Sequence, residues 1–132
     1  MMEKTLNISS KIDNLRVVEK LIDEISTVCN LSSEIYGNIL IATLEAANNA
    51  IMHGNKLDES KLVNINCIIV ESELKISVKD QGPGFDFASI PDPTAPENIE
   101  NINGRGVFLM EKLSDKINFL ENGSRVELIF KI

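Results

Sequence analysis

A glutamate and an asparagine one helical turn apart are the first residues in this chain whose types suggest chemistry. Glu45 and Asn49 lie in a segment with helical apolar spacing, so both side chains project from one side of the helix. Magnesium prefers oxygen ligands and keeps most of its waters, so Asn49 can supply one ligand while phosphate oxygens supply others. A carboxylate at Glu45 would then stand near a terminal phosphate, where it can take a proton from an attacking hydroxyl or water.

A second cluster of functional residue types stands where a strand is predicted to end. The carboxylate of Asp80 can accept a hydrogen bond from the exocyclic amine of adenine, and guanine does not present that donor at the equivalent position. Gly82 and Gly84 follow at once, and residues without a Cβ let the backbone turn tightly against a base and a sugar. The cluster therefore predicts an adenine pocket.

A third cluster, Gly104-Arg105-Gly106, opens a further predicted helix. Free backbone amides at the start of a helix can bind phosphate. Arg105 would add a planar, permanently charged donor near the terminal phosphates. None of the three clusters is specific alone, but their order along the chain indicates an ATP site. The sequence contains neither GxxxxGK[ST] nor a complete GxGxxG, which excludes a P-loop or dinucleotide fingerprint.

The single histidine and the two cysteines are not needed for this chemistry. His53 follows Asn49 by one more helical turn, and its place near a helix C-terminus favours a structural or capping role. Cys29 and Cys67 have no CxxC spacing and no histidine nearby in sequence. We expect both cysteines to be reduced and structural.

Apolar periodicity and turn residues divide the chain into seven parts that must position the clusters. In order they are a strand over 4–9, a helix capped by Ser9 or Ser10, a second helix from Ser32 or Ser33 to Gly54, a hairpin of 62–70 and 74–80, a proline-containing lid over about 86–103, a third helix over 104–114, and a hairpin of 117–120 and 125–132 around Asn122-Gly123. Asp80 would share a face with the apolar side chains of its strand.

This order of elements predicts one α+β domain over residues 1–132. It should be a two-layer α/β sandwich, with a mixed, mostly antiparallel sheet and the helices on one face. The other face of the sheet is expected to be partly exposed. A segment as long as 86–103 without regular structure is usually a functional lid.

Composition narrows the classes of protein and partner. The 132 residues fit one domain with a real core, and a net charge of −7 argues against nonspecific nucleic-acid binding. No apolar run approaches the roughly 20 residues that cross a bilayer, and the N-terminus lacks the apolar stretch of a signal peptide. We therefore expect a cytoplasmic protein that binds neither membrane nor nucleic acid.

The three clusters together resemble the conserved boxes of the gyrase, histidine kinase and MutL (GHKL) ATPase superfamily. Residues 45–55 resemble its N box, 80–85 its first Gly box and 104–110 its second. Within that superfamily, EAANNAIMHGN, DQGPGFD and GRGVFLM are most similar to the small anti-sigma-factor serine kinases of bacteria.

The resemblance implies a Bergerat-type fold that binds ATP and Mg²⁺. It implies that Glu45 is the catalytic base, that Asn49 holds magnesium and that Asp80 binds adenine. The Gly boxes add nucleotide-binding positions at Gly82, Gly84, Phe85, Gly104, Arg105, Gly106 and Val107. The pattern departs in the last strand, where family members often use a Thr to fix adenine through water and Ser124-Arg125 stand here.

The same resemblance implies protein partners. Members of the branch hold a sigma factor, or phosphorylate a serine or threonine on an antagonist (STAS-like) domain, and they commonly dimerise. The open sheet face or the first strand could serve a homodimer. Two other functions stay open from the residues: an ATP-binding module that grips a partner without phosphate transfer, and a stand-alone histidine-kinase-type ATPase domain.

Overall fold

The computed structural model describes residues 2–83 and 102–132, with side chains from Gly106 onward in the second range. Its strands and helices, in chain order, are β1 Met2–Ser9, α1 Leu15–Cys29, α2 Ser33–Asn49, β2 Leu62–Val70, β3 Glu73–Lys79, α3 Ile102–Leu113, β4 Lys116–Leu120 and β5 Arg125–Lys131. No helix among these residues is long and apolar enough to cross a bilayer.

The five strands form one sheet in the order β1-β2-β3-β5-β4. Each neighbouring pair is antiparallel, so the described strands make a purely antiparallel sheet where a mixed, mostly antiparallel one was expected. Both tight hairpins, β2-β3 and β4-β5, give antiparallel pairs directly, and α3 carries the chain to the sheet edge beyond β5. The predicted α+β class with helices against one face is confirmed.

The core lies between this sheet and the helices. Alternate residues of β2, β3 and β5 are buried, as Val63, Ile76 and Leu128 illustrate with 0% exposure each. From the helices come the apolar stripe of α1, which includes Ile22, and the inner face of α2, which includes Ala46. Small residues on α2 let that helix lie close to its neighbours.

The opposite face of the sheet is lined by paired polar side chains. Across β1 and β2, the Thr5 hydroxyl donates to Asn66 Oδ1 at 2.8 Å, and Asn64 Nδ2 donates to Asn7 Oδ1 at 2.9 Å. These are directly opposed residues in the antiparallel register. The expectation of a partly exposed face is met, because much of this surface is half-buried or exposed.

The helix starts follow local hydrogen bonding. Ser32 caps α2 by accepting from the Ile35 amide at 3.2 Å, as predicted. The cap predicted for the first helix is wrong: a 3-10 turn over Ile12–Asn14 precedes α1. The two serine oxygens instead accept from side chains: Ser9 Oγ accepts from Asn14 Nδ2 at 3.0 Å, and Ser10 Oγ accepts from Asn55 Nδ2 at 2.9 Å.

The remaining boundaries differ from expectation by a few residues. The second helix changes to a π-helical turn at Ala50–Gly54, and the third begins at Ile102. The last hairpin turns at Glu121–Gly123, where Asn122 and Gly123 have φ of 59° and 90°. Positive φ at both residues explains the Asn-Gly signal.

Candidate functional site

Helix α2 presents the first cluster from its last turns. Glu45 and Asn49 are both half-buried, one turn apart, whereas Ala46 and Ala47 on the inner side are 2% and 0% exposed. The periodicity that buries the alanines therefore aims the carboxylate and the carboxamide along the helix surface.

The start of α3 lies directly against these two side chains. A Cβ on Gly106 would stand 3.0 Å from Glu45 Oε2 and 3.2 Å from Asn49 Nδ2. Gly106 is buried, and a larger residue would press on both functional groups. The structure thus brings the first and third predicted clusters together.

The π-helical turn continues α2 toward the second cluster. The Asn55 amide donates to Ala50 O at 2.8 Å, and the Leu57 amide donates to Ile51 O at 2.8 Å. Such wide turns are frequent at functional sites. The π-helical turn ends at Gly54 and places that residue against the Asp80 side chain. It also breaks the regular spacing that would align His53 with Asn49, and His53 is exposed.

Asp80 occupies a recess that exists because two neighbours lack side chains. Its side chain turns to the buried face as predicted, and the residue is 8% exposed. A Cβ on Gly54 would lie 2.2 Å from Asp80 Oδ2, and a Cβ on Gly82 would lie 2.1 Å from Gly54 O. Contacts that short do not occur, so position 54 requires glycine while Asp80 keeps this place, and position 82 requires glycine while the Gly54 carbonyl keeps its place.

The backbone around Asp80 is anchored on two sides. Its amide donates to Ser124 O at 2.9 Å, which extends the pairing of β3 with β5 by one residue. Its Oδ1 accepts from the Gly82 amide at 2.8 Å. Burial raises the pKa of the Asp80 carboxyl, and the Gly82 hydrogen bond opposes that rise in part. A buried acceptor of this kind is stabilised by a donor such as an amine.

Three residues of this region were not predicted as site residues. Gly54 was interpreted as a helix stop, Ser124 was noted only as a departure from the family pattern, and Asn55 was quoted without a role. Ser124 is paired with Asp80 through its backbone carbonyl, while its side-chain hydroxyl donates to Glu121 O at 2.8 Å. The sequence offered only the position of Gly54, five residues after Asn49, and the fold shows that Gly54 lies against Asp80.

The remaining predicted site residues divide between the described and other parts of the chain. Gly84, Phe85 and the segment 86–101 lie outside the described residues, as do the side chains at positions 104 and 105. The backbones at 104 and 105 fall within the first four residues of α3, whose amides have no partner inside the helix. Val107 is 6% exposed and joins the core, so its role toward nucleotide stays a prediction.

The residues of the site follow one another along α2 and the π-helical turn after it: first Glu45 and Asn49, then Gly54 beside Asp80. From Glu45 to Gly54 the chain advances roughly 13 Å at about 1.5 Å per residue. This order would set the Asp80 recess at the base end of an extended nucleotide and Glu45 at the phosphate end. The donors and acceptors here fit such a ligand: backbone at Gly54, Gly82 and Gly106 packs around the Asp80, Glu45 and Asn49 side chains where a Cβ would intrude.

A magnesium ion carried by the nucleotide also fits these residues. Asn49 offers a neutral amide oxygen, a hard donor of the type that Mg²⁺ accepts alongside phosphate oxygens and water. Within 2–83 and 102–132, no three or more His, Cys, Asp or Glu side chains form a metal-binding group.

Comparison with known proteins identifies the class. The family model for the histidine kinase-like ATPase domain matches residues 8–130. The chain therefore belongs to the histidine kinase-like ATPase domain family, which confirms the resemblance to the GHKL superfamily.

Its relatives lie in the predicted branch. The chain is 28% identical over 118 residues to "Serine-protein kinase RsbW" of Oceanobacillus iheyensis, covering 85% of this chain and 75% of that protein. It is 36% identical over 98 residues to "Anti-sigma F factor" of Clostridium perfringens strain SM101, covering 71% and 69%. The resemblance to anti-sigma-factor kinases is thus confirmed at the level of relatives.

A solved structure shares the fold. The crystal structure of the RsbU and RsbW domains of Rv1364c from Mycobacterium tuberculosis superposes with a TM-score of 0.71 and 16% identity. The match covers 99% of this chain, which spans 32% of that longer one.

Proposed function

We propose that this protein is an ATP-dependent serine/threonine-protein kinase that binds a sigma factor and phosphorylates an antagonist domain in a partner-switching module. The observation that carries the proposal is the meeting of Glu45 and Asn49 with Gly106 in the last turns of α2, with the Asp80 recess at Gly54, where the π-helical turn that continues α2 ends. Relatives named as a serine-protein kinase and an anti-sigma F factor support the same activity.

The chain's own residues divide the work of the reaction. The Asp80 carboxylate accepts from the adenine amine and orients the base. The backbone amides of α3 face the phosphates. Glu45 takes the proton of a serine hydroxyl, whose oxygen bonds to the terminal phosphorus while the bond to ADP breaks.

Asn49 is the proposed protein ligand of Mg²⁺. When bound, the ion neutralises phosphate charge and orients the transferring group. The close approach of Gly106 limits the freedom of the Asn49 carboxamide, and this limits the positions its oxygen can take.

Glu45 also separates the kinase from a pure binding module, which would hold ATP and a partner without needing a base at this position. The half-buried carboxylate beside the start of α3 favours the kinase. A stand-alone histidine-kinase-type ATPase domain ranks lower, because the chain's single histidine lies in the π-helical turn of the ATP-site helix, so the phosphate acceptor would have to be a histidine on another polypeptide.

Two substitutions test the assignment by separating binding from transfer. With ATP, magnesium and the antagonist domains encoded in the same genome, Glu45→Ala should leave nucleotide binding largely intact and abolish phosphate on the antagonist. Asn49→Ala should abolish magnesium-dependent ATP binding measured by calorimetry. Phosphotransfer by Glu45→Ala at the wild-type rate would refute Glu45 as the base, and absence of transfer from wild type to every antagonist would favour the binding module.

The proposal extends to assembly and location. The partners are an antagonist domain and a sigma factor, and a homodimer through β1 or the open sheet face is part of the expectation. The working location is the cytoplasm. Sedimentation of the protein alone and with each partner checks the stoichiometry.

A further inference from the structure

A buried asparagine next to the Asp80 recess makes every hydrogen bond that its side chain can donate. Asn55 is 1% exposed and follows the π-helical turn directly. Its Nδ2 donates to Ser10 Oγ at 2.9 Å and to Leu62 O at 3.0 Å. Its Oδ1 accepts from the Gln81 amide at 2.7 Å.

The partners of Asn55 are themselves tied together. The Ser10 hydroxyl donates to Lys61 O at 2.8 Å, and the Leu62 amide donates to the Gln81 side-chain Oε1 at 2.6 Å. These five bonds connect the end of β1, the start of β2 and the turn after β3. We call this group, formed by Ser10, Asn55, Lys61, Leu62 and Gln81, the Asn55 network.

The network acts on the peptide that joins Asp80 to its turn. Gln81 stands between Asp80 and Gly82, so a hydrogen bond to the Gln81 amide fixes the plane from which the Asp80 side chain leaves. The Asp80 amide is held independently by Ser124 O. Asn55 therefore sets the turn relative to the end of α2, whereas Ser124 sets it relative to β5.

We propose that Asn55 is a positioning residue for base recognition. It holds the Asp80 turn at a fixed place relative to the helix that carries Glu45 and Asn49. The adenine base at Asp80 and the phosphates at Glu45 and Asn49 can then bind at the same time. The inference rests on the proposed role of Asp80 toward adenine. It assigns Asn55 to selectivity, beyond a purely structural bond.

The shape of the network supplies a matched control. Ser10→Ala removes the hydroxyl that receives one Asn55 donor and leaves the bond between Asn55 Oδ1 and the Gln81 amide in place. Asn55→Ala removes the bonds that Nδ2 donates and also the bond that Oδ1 accepts from the Gln81 amide. Each variant loses buried hydrogen bonds and some stability, but only Asn55→Ala releases the Asp80 turn.

The experiment compares ATP with GTP as ligand and as phosphate donor. Affinities are measured by calorimetry well below each variant's unfolding temperature, together with KM and kcat for transfer. Asn55→Ala should lose about fivefold to tenfold of the preference for ATP, through a raised KM for ATP with a smaller change in kcat. Ser10→Ala should keep the wild-type preference.

Two further variants guard against a simple folding defect. Asn55→Ser, whose shorter hydroxyl does not reach the Gln81 amide, should lose the preference as Asn55→Ala does. Asn55→Asp keeps an oxygen toward that amide, and in its protonated form, which can still donate to Leu62 O, it should restore most of the preference. An unchanged preference in Asn55→Ser and in any folded Asn55→Ala, or an equal loss in Ser10→Ala, overturns the positioning role.

The outcome for the unaltered protein distinguishes this inference from the function beneath it. If wild type binds ATP over GTP and the Asn55 variants do the same, only the positioning role fails. If wild type binds neither nucleotide, the proposed function fails and the inference falls with it.

Discussion

At the scale of single residues, the identity of the glycines in this site is constrained by the atoms that a Cβ would contact. Gly54, Asp80 and Gly82 pack so closely that a single methyl group is excluded at either glycine. Glycine is needed here for close approach, and no positive φ is involved at Gly54 or Gly82. The carboxylate therefore depends on its two neighbours as much as on its own bonds.

Gly54→Ala tests this dependence. Its Cβ would meet Asp80 Oδ2 at 2.2 Å, so the carboxylate must move and overpacking should cost roughly 1–3 kcal/mol. ATP affinity should fall at least about tenfold, the equivalent of 1.4 kcal/mol. Gly37→Ala in α2 is the matched control, because its Cβ meets nothing within 4 Å and alanine favours a helix by roughly 1 kcal/mol. Denaturation and calorimetry on both variants decide the point, and wild-type affinity in Gly54→Ala would contradict it.

The raised pKa of Asp80 gives a prediction with a sign. The folded state holds the Asp80 proton more tightly than the unfolded state, so stability is lost as pH rises from the ordinary value of 3.8 through the raised pKa. Asp80→Asn has no such loss and can still accept from the Gly82 amide. Urea denaturation should show that this variant gains on wild type between acid and neutral pH while losing preference for ATP. A stability difference between the two proteins that stays the same from acid to neutral pH would contradict the prediction.

At the scale of elements, α2 carries the site on both its regular and its widened part. The regular helix positions Glu45 and Asn49, and the π-helical turn brings Gly54 and Asn55 to the strand end after β3. A regular helix would have pointed different side chains at the Asp80 turn. The change of helix type therefore joins the two ends of the nucleotide site.

The start of α2 allows a test at the same scale. Ser32→Ala removes the bond from the Ile35 amide to the Ser32 hydroxyl and should cost roughly 0.5–2 kcal/mol of folding stability. Ser33→Ala, one residue further, is the control and should cost less. Urea denaturation measures both, and equal costs would show that the cap contributes nothing. Because the cap lies more than three turns from Glu45, nucleotide selectivity should be unchanged.

On the scale of the whole molecule, Cys67 of β2 lies in the core between the sheet and the helices. Cys67 is 2% exposed, and burial raises the pKa of its thiol to about 12. A thiol that is both buried and protonated reacts only after the fold opens. Cys67 therefore reports the opening of the whole molecule.

ATP with magnesium should slow alkylation of Cys67 by a thiol reagent. A ligand at 100 times its dissociation constant stabilises the folded state by about 2.7 kcal/mol, which corresponds to roughly a hundredfold slower labelling when opening is a rapid equilibrium. Cys29, which is half-buried at the end of α1, should label faster and serves as the internal control. Mass spectrometry of labelled peptides distinguishes the two, and an unchanged Cys67 rate would mean that nucleotide does not stabilise the fold.

The sequence predicts the periodic and the motif-bearing parts of this molecule and misses what depends on contact. Alternation in β3 correctly turned Asp80 inward, and Ser32 was correctly identified as a cap. The cap at Ser9 or Ser10 was wrong partly because a distant residue, Asn55, donates to the Ser10 oxygen that a cap would use as acceptor. Local spacing contains no information about such a partner.

The site shows the same division. The order of the three clusters predicted their convergence, and the Gly106 contacts agree for the first and third. The Asn55 network could not be predicted, because the partners of Asn55 include Ser10, 45 residues earlier, and Gln81, 26 residues later in the chain. The π-helical turn has no signal in the local apolar spacing. The roles of the individual residues toward ATP stay predictions.

The mutual fit of Gly54, Asp80 and Gly82 also restricts how this region can diverge. With aspartate in the recess, neither glycine tolerates replacement, and a larger residue at position 54 is accommodated only after the carboxylate has gone. Substitutions here should be strongly epistatic: single changes are lost from a mutant library, and survivors carry compensating pairs. A descendant that gave up adenine would be freed at positions 54 and 80 together, whereas position 82 would stay restricted by the Gly54 carbonyl.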